Sequence, residues 1–191
     1  MQAKGVRITT GTIVDATLIH APSSTKNLEQ SRDPEMHQAK KGKQWYFGMK
    51  AHVGVDSKTK IIHTAVVTAA NVSAVAILPD LLHGEETRVW GDGAYPGQTE
   101  VIRECAPRTR DFTQRRCRYH GQIVDEVAWA KNGTKSRVRA KVEHVFQVMK
   151  LQFGFVKVRY RGLKKNAQRL FVTCALVNLF VSRKKLLPAT A

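Results

Sequence analysis

Three acidic residues have the type and setting to do chemistry together: Asp15 in GTIVDATLI, Asp92 in VWGDGAYPG and Glu143 in SRVRAKVEHVFQVMK. Brought to one point they would form a set of hard oxygen donors, which suits Mg²⁺ or Mn²⁺ and not zinc. Like charges at close range repel, so the empty site is strained unless divalent cations neutralise it. Two such ions, roughly 3.5–4 Å apart, would activate an attacking oxygen and stabilise a leaving one at phosphorus, which is phosphodiester chemistry. Each acid also has an ordinary reading. Glu143 fits an intrahelical ion pair with Arg139, and Asp92 beside Gly93 fits a turn. Asp15 lies amid Ile13, Val14, Leu18 and Ile19, and a carboxylate in such a run needs a partner.

The elements that must carry these acids follow from periodicity. At about 100° per residue, Arg139, Glu143, Phe146 and Lys150 share one helical stripe, and Val138, Val142, Val145 and Met149 make an apolar stripe beside it. Ile13 to Ile19 reads as a central strand carrying Asp15. Residues 21–43 hold Pro22 and Pro34 without periodicity and read as a long exposed loop, in which Lys40, Lys41 and Lys43 form either a DNA grip or a solvated run. Trp45 to Val55 alternates strictly, as a half-buried strand does, and DSKTK turns it back into Ile61 to Ala69. Trp45 and Trp90 both read as core. Asn71 or Ser73 would cap a helix running to Gly84, kinked at Pro79. Arg88 to Tyr95 reads as a strand, Gln98 to Cys105 as a helix, Arg110 to Tyr119 as a short strand or loop, and Ile123 to Gln152 as helix broken near Asn132 and Gly133. By periodicity this is an α/β domain with a mixed sheet.

Charge points to the partner. The net charge is +17, and it is uneven: residues 1–100 hold 11 Lys and Arg against 10 Asp and Glu, whereas residues 101–191 hold 21 against 5. A polyanion is the natural counterpart of such a surface, and binding through it weakens with salt. Charge alone leaves DNA, RNA or a merely solvated basic face open. The length suits one domain over residues 1–191. No secretory leader follows the first charges, and Leu170 to Val181 is too short to span a bilayer and reads as a buried core helix, so a cytoplasmic protein is expected. Cys105, Cys117 and Cys174 form no CxxC, and the Cys117–His120 spacing lacks the second pair a zinc site needs.

In segment order and motif the chain resembles the catalytic part of a DDE transposase of bacterial insertion sequences, of the insertion-sequence-five family. The resemblance is carried by GTIVDATLI, by DPEMHQAKKGKQWYFGMKAHVGVD, by HTAVVTAANV, by GDGAY and by R-x3-E-x6-K at Arg139, Glu143 and Lys150. It implies an RNase H-like mixed sheet flanked by helices, with Asp15, Asp92 and Glu143 as the catalytic and metal-binding triad and two Mg²⁺ (or Mn²⁺) ions. It further implies Arg139 and Lys150 on phosphates, double-stranded DNA (element ends and target) as substrate, and an oligomer assembled on that DNA. Two departures stand out. Ser136 occupies the place of the family's helix Tyr, and only fourteen residues precede Asp15, where the family carries an end-recognising region. That second departure leaves two alternatives to a self-sufficient enzyme. One is a DNA-binding remnant or regulator that joins full-length transposase, and the other is the downstream product of two reading frames that acts with its upstream half.

Overall fold

The computed structural model describes residues 8–95, 97–119, 122–123 and 125–187. Its centre is a six-stranded mixed sheet. β1 (Gly11–His20) lies antiparallel to β3 (Gln44–Asp56) and parallel to β5 (Arg88–Trp90), which lies parallel to β6 (Arg110–Asp111). The far edge of β3 is shared by two strands: β2 (His37–Lys41) pairs with its first residues and β4 (Ile62–Ala69) with the rest. A two-stranded ribbon, β7 (Arg118–Tyr119) with β8 (Gln122–Ile123), stands apart from this sheet.

Both faces are covered. On one, Ile13, Met49, Ala51, Val53 and Val55 pack with Val142, Val145 and Met149 of α2 (Glu126–Gln147) and the turn after it, and with Leu170, Cys174 and Val177 of α3 (Leu163–Leu186). On the other, Val14 and Val89 pack with Leu78, Leu81, Tyr95 and Ile102, the last on α1 (Thr99–Cys105). Complete burial of each such side chain contributes about 1.5–3 kcal/mol, so the apolar stripe of α2 fixes which way its polar stripe faces.

Several expectations are corrected. Residues 21–43 are not one long loop. Their last part is β2, which shows no alternation because it is an edge strand with no buried face. The segment before it is anchored, since Met36 is buried and Asp33 and Glu35 accept hydrogen bonds from the backbone of Gly162 and Leu163. β3 is buried on both faces from Ala51 to Asp56, because the layer carrying Leu81 closes over the face that alternation assigned to solvent. Trp45 is 62% exposed where β3 runs past β1 and β4 and pairs with the exposed edge strand β2, whereas Trp90 is buried as expected. No helix spans residues 71–84. Two 3₁₀ turns, Val75–Ile77 and Pro79–Leu81, replace it, with Pro79 opening the second because it cannot continue a helix interior.

β5 ends at Trp90, so Asp92 and Tyr95 lie beyond the strand. α2 runs unbroken through Asn132 and Gly133. The cost of an interior Gly, about 1 kcal/mol, is offset where Asn132 accepts from Arg115 N (3.2 Å) and donates to Arg115 O (2.7 Å). Its start is fixed by Asp125, whose carboxylate accepts from Ala128 N at 2.7 Å. The Leu170 to Val181 stretch belongs to an amphipathic helix and is not fully buried, since Phe171, Val172, Leu176 and Leu179 face outward. No helix among the described residues is long and apolar enough to cross a membrane. The three cysteines form no disulfide. His120 and the first seven residues lie outside the described residues.

Candidate active site

The β1–β5 ladder stops at the Ile13–Trp90 pair, although β1 continues to His20. Beyond that point the two chains part, and Asp15 on β1 and Asp92 after β5 stand on either side of the opening. The polar stripe of α2 closes it with Arg139 and Glu143. The result is a cleft of about 560 Å³ whose wall includes all three candidate acids and Arg139.

Asp15 is the most constrained of the acids. Its side chain is 15% exposed. Burial pushes its carboxyl up to about 6, Ala16 N–H pulls it down by donating to Oδ1 at 2.7 Å, and the charge of Asp92 adds to the rise. Arg139 supplies the counter-charge. Its Nη1 lies 3.0 Å from Asp15 Oδ2 and its Nη2 lies 3.3 Å from Glu143 Oε1, so one guanidinium bridges a strand acid and a helix acid. The intrahelical pair expected of Arg139 and Glu143 therefore exists, and the same fork reaches across to Asp15. Glu143 is 63% exposed, and the Nε of Arg139 is buried with no hydrogen-bond partner among the described residues. Asp92 is half-buried, with Oδ1 accepting from Ala94 N at 2.9 Å.

As arranged, no group of three or more His, Cys, Asp or Glu side chains among the described residues is close enough to hold a metal ion. The donor set nonetheless fits a hard divalent cation. It offers carboxylates alone, one of them raised to about 6 chiefly by burial, with the Arg139 guanidinium lying between two of them.

Of the two predicted phosphate-binding cations, the structure brings only Arg139 to the acids. Lys150 follows the onset of a π turn (Val148–Gln152), whose wider winding takes it off the 3.6-residue stripe, and it is not part of the cleft wall. Burial lowers the affinity of Lys150 for its proton, and Lys41 lowers it further, so the two ammonium groups are neighbours. Lys41 does line the cleft, as do Lys40 and Lys50. Charge pattern flagged the first two, whereas Lys50 carried no signal because it sits inside a strand. Lys40 also lies over the ring of Trp45, 5.9 Å from its centroid.

Tyr95 went unnoticed too. Its ring is buried against Gly91, its hydroxyl has no partner among the described residues, and burial together with Asp15 and Asp92 pushes the phenol above its usual range. Ser136, where a Tyr was expected, accepts from Gln114 Nε2 at 2.6 Å, and Gln114 N donates to Gly91 O at 3.0 Å. Thus α2 is tied to the residue preceding Asp92.

The sequence profile of the family described as Transposase DDE domain matches residues 7–179, which takes in all three acids and α2. The chain belongs to this family. The mixed sheet with helices on both faces agrees with the RNase H-like fold of a DDE transposase domain, and such domains generally use divalent metal ions. No solved structure matches this transposase domain at a significant level.

Proposed function

We propose that this transposase domain cuts and rejoins insertion-sequence DNA, that it belongs to the insertion-sequence-five family, and that residues 1–191 act as one catalytic domain in the cytoplasm, assembled as an oligomer on DNA. The observation that carries this reading is the Arg139 fork, which draws a strand acid and a helix acid together in the cleft that Asp92 also lines.

Asp15, Asp92 and Glu143 would hold Mg²⁺ or Mn²⁺. Bound there, the ions supply Lewis-acid stabilisation to the attacking and leaving oxygens of an in-line displacement. The remaining work falls to the protein. With its carboxyl raised to about 6, Asp15 is ionised at neutral pH and ready to act as a ligand. The planar fork of Arg139, already spanning two carboxylates, matches a phosphate equally well and can orient the scissile group. Lys40, Lys41 and Lys50 offset the charge of the entering backbone, while Lys150 acts beside Lys41 at the rim. Water as the attacking group gives nicking, and a 3′-hydroxyl gives strand transfer. The same carboxylate cleft serves both because either attacker is an oxygen.

The test is nicking of supercoiled DNA by the purified chain in Mg²⁺, with chelator controls, beside Asp92→Asn and Glu143→Gln. Nicking that requires Mg²⁺ and disappears in both variants supports the reading. Nicking that survives either substitution sinks it.

A further inference from the structure

A second polar cleft, of about 430 Å³, lies between α1, β6 and the first half of α2. Five cations line it: Arg103 on α1, Arg110 on β6, Arg115 after it, and Lys131 and Lys135 on α2. None of these is ion-paired among the described residues. The two acids in its wall accept hydrogen bonds from neighbouring groups of the same wall, and Asp111 offsets part of the charge of Lys135. Asp111 accepts from Thr99 Oγ1 (2.6 Å) and Thr113 N (2.7 Å), and Asp125 caps α2. Lys135 donates to Thr113 O at 2.6 Å, which fixes its position, while the other four cations have no comparable internal tether.

The second cleft follows the first along α2, whose row of side chains turns by about 40° with each four-residue step. Lys131, Lys135, Arg139 and Glu143 follow one another at four-residue steps along α2, about 6 Å apart, with Lys131 and Lys135 in the second cleft and Arg139 and Glu143 in the first. A duplex carries one phosphate per strand about every 3.4 Å of its axis, so each step along this row spans about two phosphates of one strand. We propose that the second cleft holds the backbone of the DNA being cut, with Lys131 meeting phosphates about five base pairs from the scissile one. The figure takes the duplex axis along α2, where roughly 18 Å of helix separates Lys131 from Glu143. The inference rests on the DNA-cutting reading above and adds where the flanking duplex runs.

The experiment measures binding of a linear duplex at several salt concentrations by the parent chain and by R103A/R110A/K131A, all three residues lying outside the catalytic cleft. The alanine variant should bind about 10–100-fold more weakly at moderate salt, and its log–log salt slope should fall by about 2–3. The charge-keeping variant R103K/R110K/K131R should retain the parent slope. If the alanine variant fails to fold, Lys131→Glu alone, on the exposed surface of α2, should still lower the slope. A methylphosphonate placed about five base pairs from the cut should weaken the parent and leave the alanine variant unchanged. An unchanged slope overturns the proposal, as does a silent methylphosphonate or equal displacement of the duplex by an acidic peptide of matched charge. Absence of cutting by the parent chain sinks the proposed reaction alone, because the salt slope still decides whether the second cleft binds duplex.

Discussion

Asp15, half-buried, and Asp56, fully buried, are carboxylates on adjoining strands of one sheet, yet they sit in opposite electrostatic conditions. Asp56 ends β3 and is saturated: Oδ1 accepts from Lys58 N (2.9 Å), Thr59 N (2.6 Å) and Thr59 Oγ1 (2.8 Å), and Oδ2 accepts from Thr9 N and Thr9 Oγ1. Burial works to raise its pKa, but the hydrogen bonds from Thr59 and Thr9 outweigh it and hold the carboxyl below the usual range. Asp15 has one backbone donor and one arm of Arg139, and its carboxyl is raised to about 6. An acid that local hydrogen bonds fully satisfy holds a loop together. An acid left short of partners has capacity for a ligand, and its strain is the cost of that readiness.

Substitutions can break or sharpen this contrast. The largest effect should come from Asp92→Asn or Glu143→Gln, which should lower Mg²⁺-dependent nicking by at least 10²–10³-fold, roughly the scale of losing a preorganised charge at a reacting centre, with little change in folding. Next, Asp56→Asn should destabilise the fold by about 3 kcal/mol in urea unfolding, because buried donors lose their acceptor. This stabilisation has a definite sign in pH. A folded pKa below the unfolded value means the contribution is present above about pH 4 and is lost as pH falls below it.

Asp15→Asn should do the reverse in chelator. The folded pKa of Asp15 lies above its unfolded value, so ionised Asp15 costs stability that the neutral form does not, increasingly as pH rises from about 4 to about 6. The variant should gain about 1–2 kcal/mol at pH 8 and nothing near pH 4, while losing nicking. Equal stability of parent and variant at both pH values would erase the distinction between the two acids. The smallest effect should be Trp45→Ala, within about 0.5 kcal/mol by thermal unfolding, since that ring is exposed.

The strand of Asp15 and the helix of Glu143 were legible in the sequence. The apolar run around Asp15 and the paired stripes of α2 could be read because periodicity reports which side of an element is buried, and the acids they carry do meet at one cleft. Features that depend on a neighbour could not be read that way. β2 has no buried face and hence no pattern, and the exposure of Trp45 follows from β3 running past β1 and β4. The continuity of α2 past Gly133 depends on Asn132 meeting Arg115, seventeen residues away. Lys150 left its stripe because a π turn, which no local composition announced, shifted the phase. The second cleft drew residues from α1, β6 and α2 that share no motif.

The early end of the β1–β5 ladder has a mechanical consequence. Asp15 rides on a strand clamped along one side by β3, and Asp92 rides on a turn that has already left the sheet. No rung crosses the gap between them, so its width is set by what holds the β5 exit: Gly91 O accepts from Gln114 N, and the Tyr95 ring is buried against Gly91. The sheet fixes Asp15, the Gln114 strap and the Tyr95 ring fix the approach to Asp92, and the two acids are thus held by separate parts of the fold that meet at the Ile13–Trp90 rung.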